Sequence, residues 1–319
     1  DALPIYMKIA ITGASGMLGT ALIDELSRNH DIYATGRNKG IERGNVYWEC
    51  FDLLNFDRLQ WWLLDISPNV VIHCAAMVNV DQCEIEAGKA YELHMETTKI
   101  ISSFLKSSGG YMIYISTDSV FDGKKELAYL ENDLVNPLNV YAKSKLAGES
   151  IVLIDGTGIV LRTNIIGWSR SDNRCSFSEW ILRSLIQGEK LKLFYDVYFS
   201  PLHVSDLSKI ISILINKKLC GLYNISSDFG ISKYDFGLLI ANVFDLASNN
   251  IKKTSIDDMD LAASRPHNMI LSNQKISKEL GLKFGTPKDS IITLKQQYDS
   301  GWLSRIKMRS MQPAYNFWK

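Results

Sequence analysis

The sequence predicts an α/β fold, a doubly wound parallel sheet carrying a smaller mixed α/β lobe. Three observations predict it. Through roughly the first 165 residues, short apolar runs alternate with amphipathic stretches of helical period. A glycine-rich turn follows the first of those runs. After Arg162 the alternation breaks, so the remaining chain has to build something separate. Strands alternating with helices require right-handed crossovers and a parallel sheet covered on both faces.

The elements follow in order. Lys8–Thr12 is a strand that ends in glycines, and Met17–Asn29 places Leu18, Ala21, Leu22 and Leu26 on one helical face. Asp31–Thr35 and Val46–Phe51 are the next strands, then Phe56–Asp65 is a helix in which Trp61 and Trp62 read as core. Ser67-Pro68 marks a turn before the fourth strand, Val70–Cys74. Ala90–Ser107 is helical and stops at Gly109-Gly110; Tyr111–Ile115 and Gly158–Arg162 are the fifth and sixth strands. Beyond them lie a polar loop, Ser169–Ser176, and helices over Glu179–Gly188, Ser205–Asn216, Lys233–Phe244 and Asp289–Trp302. Phe177, Glu179 and Trp180 follow the polar loop, and Trp180 reads as packed against its helix. A tail with aromatic and basic residues runs through Trp318.

Composition narrows the function. The 319 residues are 46% apolar and 22% charged, as in soluble globular chains, which excludes wholesale disorder. Lys plus Arg equals Asp plus Glu at 35 each, so no global field favours nucleic acid or a membrane surface. No apolar run approaches the roughly 18–20 residues of a membrane span. The residues before Met7 are neither basic nor apolar enough for a signal peptide, and Met7 reads as the natural start. The five cysteines, Cys50, Cys74, Cys83, Cys175 and Cys220, are scattered without C-x-x-C spacing. Buried free thiols in a reducing cytoplasm are expected, with no disulfide framework and no metal site.

Gly13-Ala14-Ser15-Gly16-Met17-Leu18-Gly19 has the spacing G-x-x-G-x-x-G between strand and helix. Gly13 permits the tight turn, Gly16 lets a pyrophosphate approach the backbone, and Gly19 allows close packing of the helix. The helix start then offers unpaired N–H groups to phosphate. Where many NAD sites carry an acid on the ribose, the second strand ends in Gly36-Arg37. Arg37 pairing with a 2′-phosphate favours NADP(H), with NAD(H) still usable; a solvated surface arginine is the other reading. Asp52 and Leu53, after the third strand, are placed to meet an adenine, and Asp52 reads equally as a helix cap.

Two further elements carry chemistry. Tyr141 and Lys145, at i and i+4 on one helix, project side by side after the turn at Pro137 and Asn139. A neighbouring ammonium lowers a phenol's pKa, so Tyr141 is expected to exchange a proton near neutral pH. Ser116-Thr117-Asp118 closes the fifth strand, at the carboxyl edge where open α/β sheets bind ligands, and Thr117 can donate to a carbonyl oxygen.

These elements in this order resemble the extended short-chain dehydrogenase/reductases. The strings Ser116–Gly123 and Tyr141–Glu149 are similar to the dTDP-4-dehydrorhamnose reductase family. So are Cys74-Ala75-Ala76, Ser200-Pro201 with Val204–Leu207, Gly221–Asn224 and Arg265-Pro266, and the likeness runs from Met7 to Leu282. The resemblance implies a Rossmann-type NAD(P) domain over 7–165 plus about 196–219, and a substrate lobe over 166–195 plus 220–319. It implies Thr117, Tyr141 and Lys145 as a catalytic trio reducing the C4 ketone of a nucleotide-linked 4-keto-6-deoxysugar. It assigns cofactor contacts to Met17, Leu18, Ala75, Ala76 and Met77, and substrate contacts to Asp118, Asn164, Trp168 and Arg265. Arg265 reads from its residue type as a partner for a diphosphate or as a surface ion pair. A homodimer is the default assembly.

The sequence departs from the family pattern at three places. Ser119 stands where Tyr is frequent, and Asn164-Ile165 where a Trp is frequent, with Trp168 three residues on. His94 stands where Asn is usual and reads as part of a polar network. An epimerase or dehydratase is the second enzyme reading: Asp118-Ser119 lacks the acidic pair of dehydratases, and Arg37 weighs against tightly held NAD. A third reading is a non-catalytic NADP-binding regulatory subunit, as the methionine adenosyltransferase beta subunit resembles these reductases.

Overall fold

The structure, a computed structural model, describes residues 6–171 and 175–307. Part of the polar loop, 172–174, and the tail beyond Lys307 lie outside the described residues. Seven parallel strands form the central sheet: β1 (Lys8–Thr12), β2 (Asp31–Gly36), β3 (Val46–Cys50), β4 (Val70–His73), β5 (Tyr111–Ile115), β6 (Gly158–Thr163) and β7 (Gly221–Ile225). Their order is β7-β6-β5-β4-β1-β2-β3. The chain therefore reverses direction across the sheet between β1 and β4, which opens a crevice at the strands' carboxyl ends.

Side chains alternate across the sheet with period two. Ile9, Ile11, Val70, Ile72, Ile113 and Ile159 face helices α1 (Met17–Leu26) and the crossover Val204–Lys217. Ala10, Val71, Met112, Tyr114 and Val160 face α2 (Phe56–Ile66), α3 (Thr97–Ser108) and α4 (Val140–Asp155). Burial on both faces explains the near-continuous apolar strands. Local signals agree: Asn55 caps α2 by accepting from the Arg58 N–H at 3.1 Å, and Asn139 caps α4 by accepting from Ala142 at 2.9 Å.

A second core belongs to the smaller lobe. There Ile181, Leu182 and Leu185 of α5 (Phe177–Ile186) meet Phe236 and Ile240 of α6 (Lys233–Val243) and Ile291 and Leu294 of α7 (Pro287–Asp299). Two parallel segments, Leu191–Phe194 and Ile251–Thr254, complete it.

Several expectations need correction. The strand that returns to the sheet is β7, within the 220–319 stretch assigned to the substrate lobe. The short segments near 196–203 pair outside the central sheet, Tyr198–Phe199 with Ile231–Ser232 and Leu202–His203 with Ile165–Ile166. A right-handed crossover explains this order, because helix Val204–Lys217 must come between β6 and its new neighbour. Trp62 is buried, but Trp61 is 55% exposed. One residue is 100° of helical turn, so adjacent tryptophans cannot share a face; the Arg58 guanidinium covers Trp61 at 4.8 Å. Trp180 is partly exposed and stacks on Phe177, with ring centroids 6.0 Å apart. Of the cysteines only Cys83 is buried and Cys74 half-buried; Cys50, Cys175 and Cys220 are exposed, at a strand end and in connections. No helix among the described residues is long and apolar enough to cross a membrane.

One buried ion pair joins three elements. Arg162 of β6 donates to Glu149 of α4 from Nε (3.0 Å to Oε1) and Nη2 (2.7 Å to Oε2), and the Ser116 hydroxyl donates to Glu149 Oε1. Both side chains are essentially inaccessible. Replacing Glu149 by Ala strands a guanidinium in the interior, so stability should fall by about 3–5 kcal/mol. Urea denaturation of the variant checks this; a loss under about 1 kcal/mol would show that the pair does not hold these elements.

Candidate active site

The glycine turn lies at the carboxyl end of β1. Gly13 has φ +65°, and a Cβ there would stand 2.8 Å from the Ala75 backbone. Gly19 is pressed as tightly: a Cβ would meet Ala14 Cα at 2.5 Å, so the third glycine packs α1 onto the turn itself. Gly16 is the N-cap of α1 and supplies no side-chain hydrogen bond, so the N–H groups of Met17 and Leu18 begin the helix uncapped. Such a helix start favours an anion. Ser15 borders the turn, its hydroxyl against Gly36 at the end of β2. Arg37 follows, exposed and without a hydrogen bond or ion pair to the described residues. Asp52 is exposed and accepts from the Leu54 N–H at 3.1 Å, while Leu53 is buried. Asn55, not Asp52, caps the helix that follows.

Ala75, Ala76 and Met77 leave β4 along the opposite wall. The Met77 N–H donates to His94 Nε2 at 2.9 Å, which fixes Nε2 as acceptor. Nδ1 then carries the proton and donates to Ser144 Oγ at 2.8 Å, and Ser144 donates to the Tyr141 carbonyl at 2.9 Å. His94 sits in a π-helical turn, Glu92–Glu96, and burial, reinforced by Lys145 and His73, lowers its pKa to about 2. It is a neutral linker between the β4 loop and helix α4. Below it, Thr12 and Thr97 hold the two nitrogens of buried His73 at 2.6 and 3.1 Å.

Thr117, Tyr141 and Lys145 converge beyond the end of β5. Thr117 is buried, accepts from the Ser119 N–H at 3.1 Å, and lies near enough to Tyr141 to hold its pKa down. Burial raises Tyr141 to about 12; contact with Thr117 opposes the rise and the Asp118 charge adds to it. The lowering of Tyr141 by Lys145 that the spacing predicts is not seen: Lys145 is not among the groups that shift Tyr141. Burial lowers Lys145 itself to about 7, with Glu149 and Cys74 opposing. Its ammonium lies 4.1 Å from the Tyr114 ring centroid.

The substrate-side expectations divide. Asn164 donates to Asp118 Oδ2 at 2.6 Å, and the hydroxyls of Thr117 and Ser119 both donate to Oδ1 at 3.1 Å. Burial pushes Asp118 up, while Asn164, the Lys233 charge and the two hydroxyls hold it down. Trp168 is contradicted as a substrate contact. It is 2% exposed, donates to the Leu294 carbonyl at 3.2 Å and stacks on Tyr298, a core residue of the lobe. Its segment, Ile165–Ile166 onward, pairs with Leu202–His203 and carries it into that core. Arg265 donates to Asp81 at 2.8 Å, which holds the Asp81 carboxyl below its ordinary range, so it stands as an ion pair joining the lobe to helix Val80–Ile85. Sequence reading missed Lys233, the first residue of α6, whose ammonium lies 3.4 Å from the Phe199 ring centroid; only its place just inside a helix N-terminus marked it.

The model of the RmlD substrate binding domain family matches residues 7–299. Methionine adenosyltransferase 2 subunit beta of Bos taurus is 30% identical, covering 88% of this chain and 84% of that protein. The dTDP-4-dehydrorhamnose reductase of Aggregatibacter actinomycetemcomitans is 28% identical, covering 86% and 94%. Among solved structures, dTDP-4-dehydrorhamnose reductase from Bacillus anthracis str. Ames in complex with NADP superposes with a TM-score of 0.83 at 27% identity, covering 92% of this chain and all of that one.

The His94 linkage has a direct consequence. His94→Leu leaves the Met77 N–H without its acceptor and should cost about 1–3 kcal/mol, with faster amide exchange along Ala75–Met77. His94→Asn, which can still accept and donate, should recover most of it. Equal exchange in all three proteins would contradict the linkage.

Proposed function

Because the chain belongs to the RmlD substrate binding domain family, we propose that it is an NADPH-dependent reductase acting on the C4 ketone of a nucleotide-linked 4-keto-6-deoxysugar. The placement of Thr117 just past β5, of Tyr141 and Lys145 one turn apart on α4, and of an uncapped helix start after β1 of the same sheet carries this reading. The residues fit the cofactor: Gly13 and Gly16 leave the backbone open to a pyrophosphate, and Arg37 stands free for a 2′-phosphate. Bound there, NADPH supplies the hydride.

The chain's own groups do the rest. With substrate seated, the Thr117 hydroxyl turns its proton from Asp118 Oδ1 to the carbonyl oxygen. Tyr141, protonated throughout the neutral range, holds the proton that the new alkoxide takes. An alkoxide is far more basic than a phenolate, so a donor with its pKa raised still transfers downhill. Lys145 is poised close to neutrality, and a neighbouring phosphate or phenolate draws it to the charged form, which steadies the phenolate after transfer. Asp118, buried and bonded by Asn164, Thr117 and Ser119, holds the turn that carries Thr117.

A second reading, a regulatory subunit without turnover, is supported by the likeness to methionine adenosyltransferase 2 subunit beta. Turnover separates the two. Purified protein with NADPH and a panel of nucleotide-linked 4-keto-6-deoxysugars should consume reduced cofactor with at least one member. Tyr141→Phe should lower that rate by roughly 10²–10⁴-fold while NADPH still binds. Tight NADPH binding with no consumption across the panel would favour the regulatory reading; an unchanged rate in Tyr141→Phe would remove Tyr141 as donor.

A further inference from the structure

Helix Val80–Ile85 carries two carboxylates outside the trio, Asp81 and Glu84. They stand three residues apart, which puts both on one face of the helix. Asp81 holds the lobe: its Oδ1 accepts from the Ala263 N–H at 3.0 Å and its Oδ2 from the Arg265 guanidinium at 2.8 Å. Glu84 reaches the other way. Its Oε1 accepts from the Val140 N–H at 2.8 Å, at the first residue of α4 and one residue before Tyr141.

The buried Asn139 closes the ring. Its Oδ1 accepts from the Ala142 N–H at 2.9 Å, and its Nδ2 donates to the Ser264 carbonyl at 2.8 Å. Helix Val80–Ile85, the start of α4 and the segment Ala263–Arg265 therefore each bind the other two. The helix is also anchored on its own side. Asn79 caps it by accepting from the Gln82 N–H at 3.1 Å, and the buried Cys83 thiol donates to the Met77 carbonyl at 3.3 Å. The lobe segment is pinned a little further along, where Asn268 donates to the Lys125 carbonyl at 2.6 Å.

A helix start leaves its first N–H groups without backbone partners. In α4 the two that flank Tyr141, those of Val140 and Ala142, are both taken by side chains. Asn139 belongs to the chain it caps and would cap it in any position. Glu84 comes from a separate helix, so its bond ties the start of α4 to a fixed place. A carboxylate also suits the positive end of the helix dipole.

We propose that Glu84 is a positioning residue for proton transfer: by holding the Val140 N–H from an anchored helix, it sets where the Tyr141 phenol stands relative to Thr117. This rests on the reductase reading for what Tyr141 does. Neither the glycine turn nor Arg37 takes part, so cofactor binding is independent of it.

Steady-state kinetics of the full chain with NADPH and a nucleotide-linked 4-keto-6-deoxysugar, paired with amide exchange, test this. Glu84→Ala should lower kcat by roughly 10- to 100-fold, because small misplacements of reacting groups cost that much. NADPH affinity by fluorescence titration should stay near that of the wild type, and the Val140 and Tyr141 amides should exchange faster. Glu84→Gln, which keeps an acceptor oxygen without the charge, should recover most of both kcat and protection. An unchanged kcat in Glu84→Ala, a loss of NADPH affinity as large as the loss of kcat, or a Glu84→Gln as slow as Glu84→Ala would overturn the proposal. Failure of the reductase reading looks different: the wild type then reduces no sugar, and exchange decides. Faster exchange in Glu84→Ala alone would uphold the clamp, and equal rates in all three proteins would overturn it.

Discussion

The buried Glu149–Arg162 pair is the constraint on which the site depends. Glu149 lies one helical turn beyond Lys145 and two beyond Tyr141, so it fixes the rotation of the helix that carries both. Arg162 precedes Thr163 and Asn164, and Asn164 in turn holds Asp118. Ser116, which donates to the same carboxylate, precedes Thr117. Three groups that must meet within a few ångströms therefore descend from one charge cluster beneath them. A buried ion pair adds little net stability over an apolar replacement, but it tolerates only one register of its partners. Geometry, more than stability, is what it contributes here.

Desolvation sets the electrostatics above that cluster. His73 and His94 are held neutral, at about 3 and about 2, Lys145 and Lys233 are lowered toward neutrality, and Tyr141 is kept protonated. Under the proposed function few charges are available to hold two phosphate-bearing ligands: the uncapped helix start, Arg37 and Lys145. A chain with no net charge can bind such ligands because placed groups in a partly desolvated cleft act strongly over short distances.

Much of the fold was legible in the sequence because its signals are local. Six strands, the glycine turn and the Tyr141–Lys145 pair all lie within short windows whose periodicity or spacing reports them. The Asn164–Asp118 hydrogen bond was not foreseen: the sequence reading gave both residues to the substrate, and the bond joins segments 46 positions apart. What was illegible depends on distant packing. β7 is five residues long and includes a polar Asn224, so only its pairing with β6 identifies it. Trp168 reads as a substrate contact until the lobe's core, with Tyr298 and Leu294, is seen to enclose it. Arg265 finds Asp81 across 184 positions of sequence. Lys233 looks like any solvated helix-start lysine until two phenylalanines from other segments close around it. The Tyr141 pKa was misjudged for a related reason. Spacing reports that an ammonium is near, but not that burial depresses the ammonium too.

The central claim is that this cleft passes a hydride to a sugar ketone. Isotope transfer tests it most directly. NADPH deuterated at C4 of the nicotinamide, in each of its two stereochemical forms, is incubated with the protein and a nucleotide-linked 4-keto-6-deoxysugar, and the sugar is analysed by mass spectrometry and NMR. The account predicts deuterium at C4 of the product sugar from one form of the cofactor and not the other. Absence of deuterium in the sugar from both forms, with the cofactor bound, would contradict it.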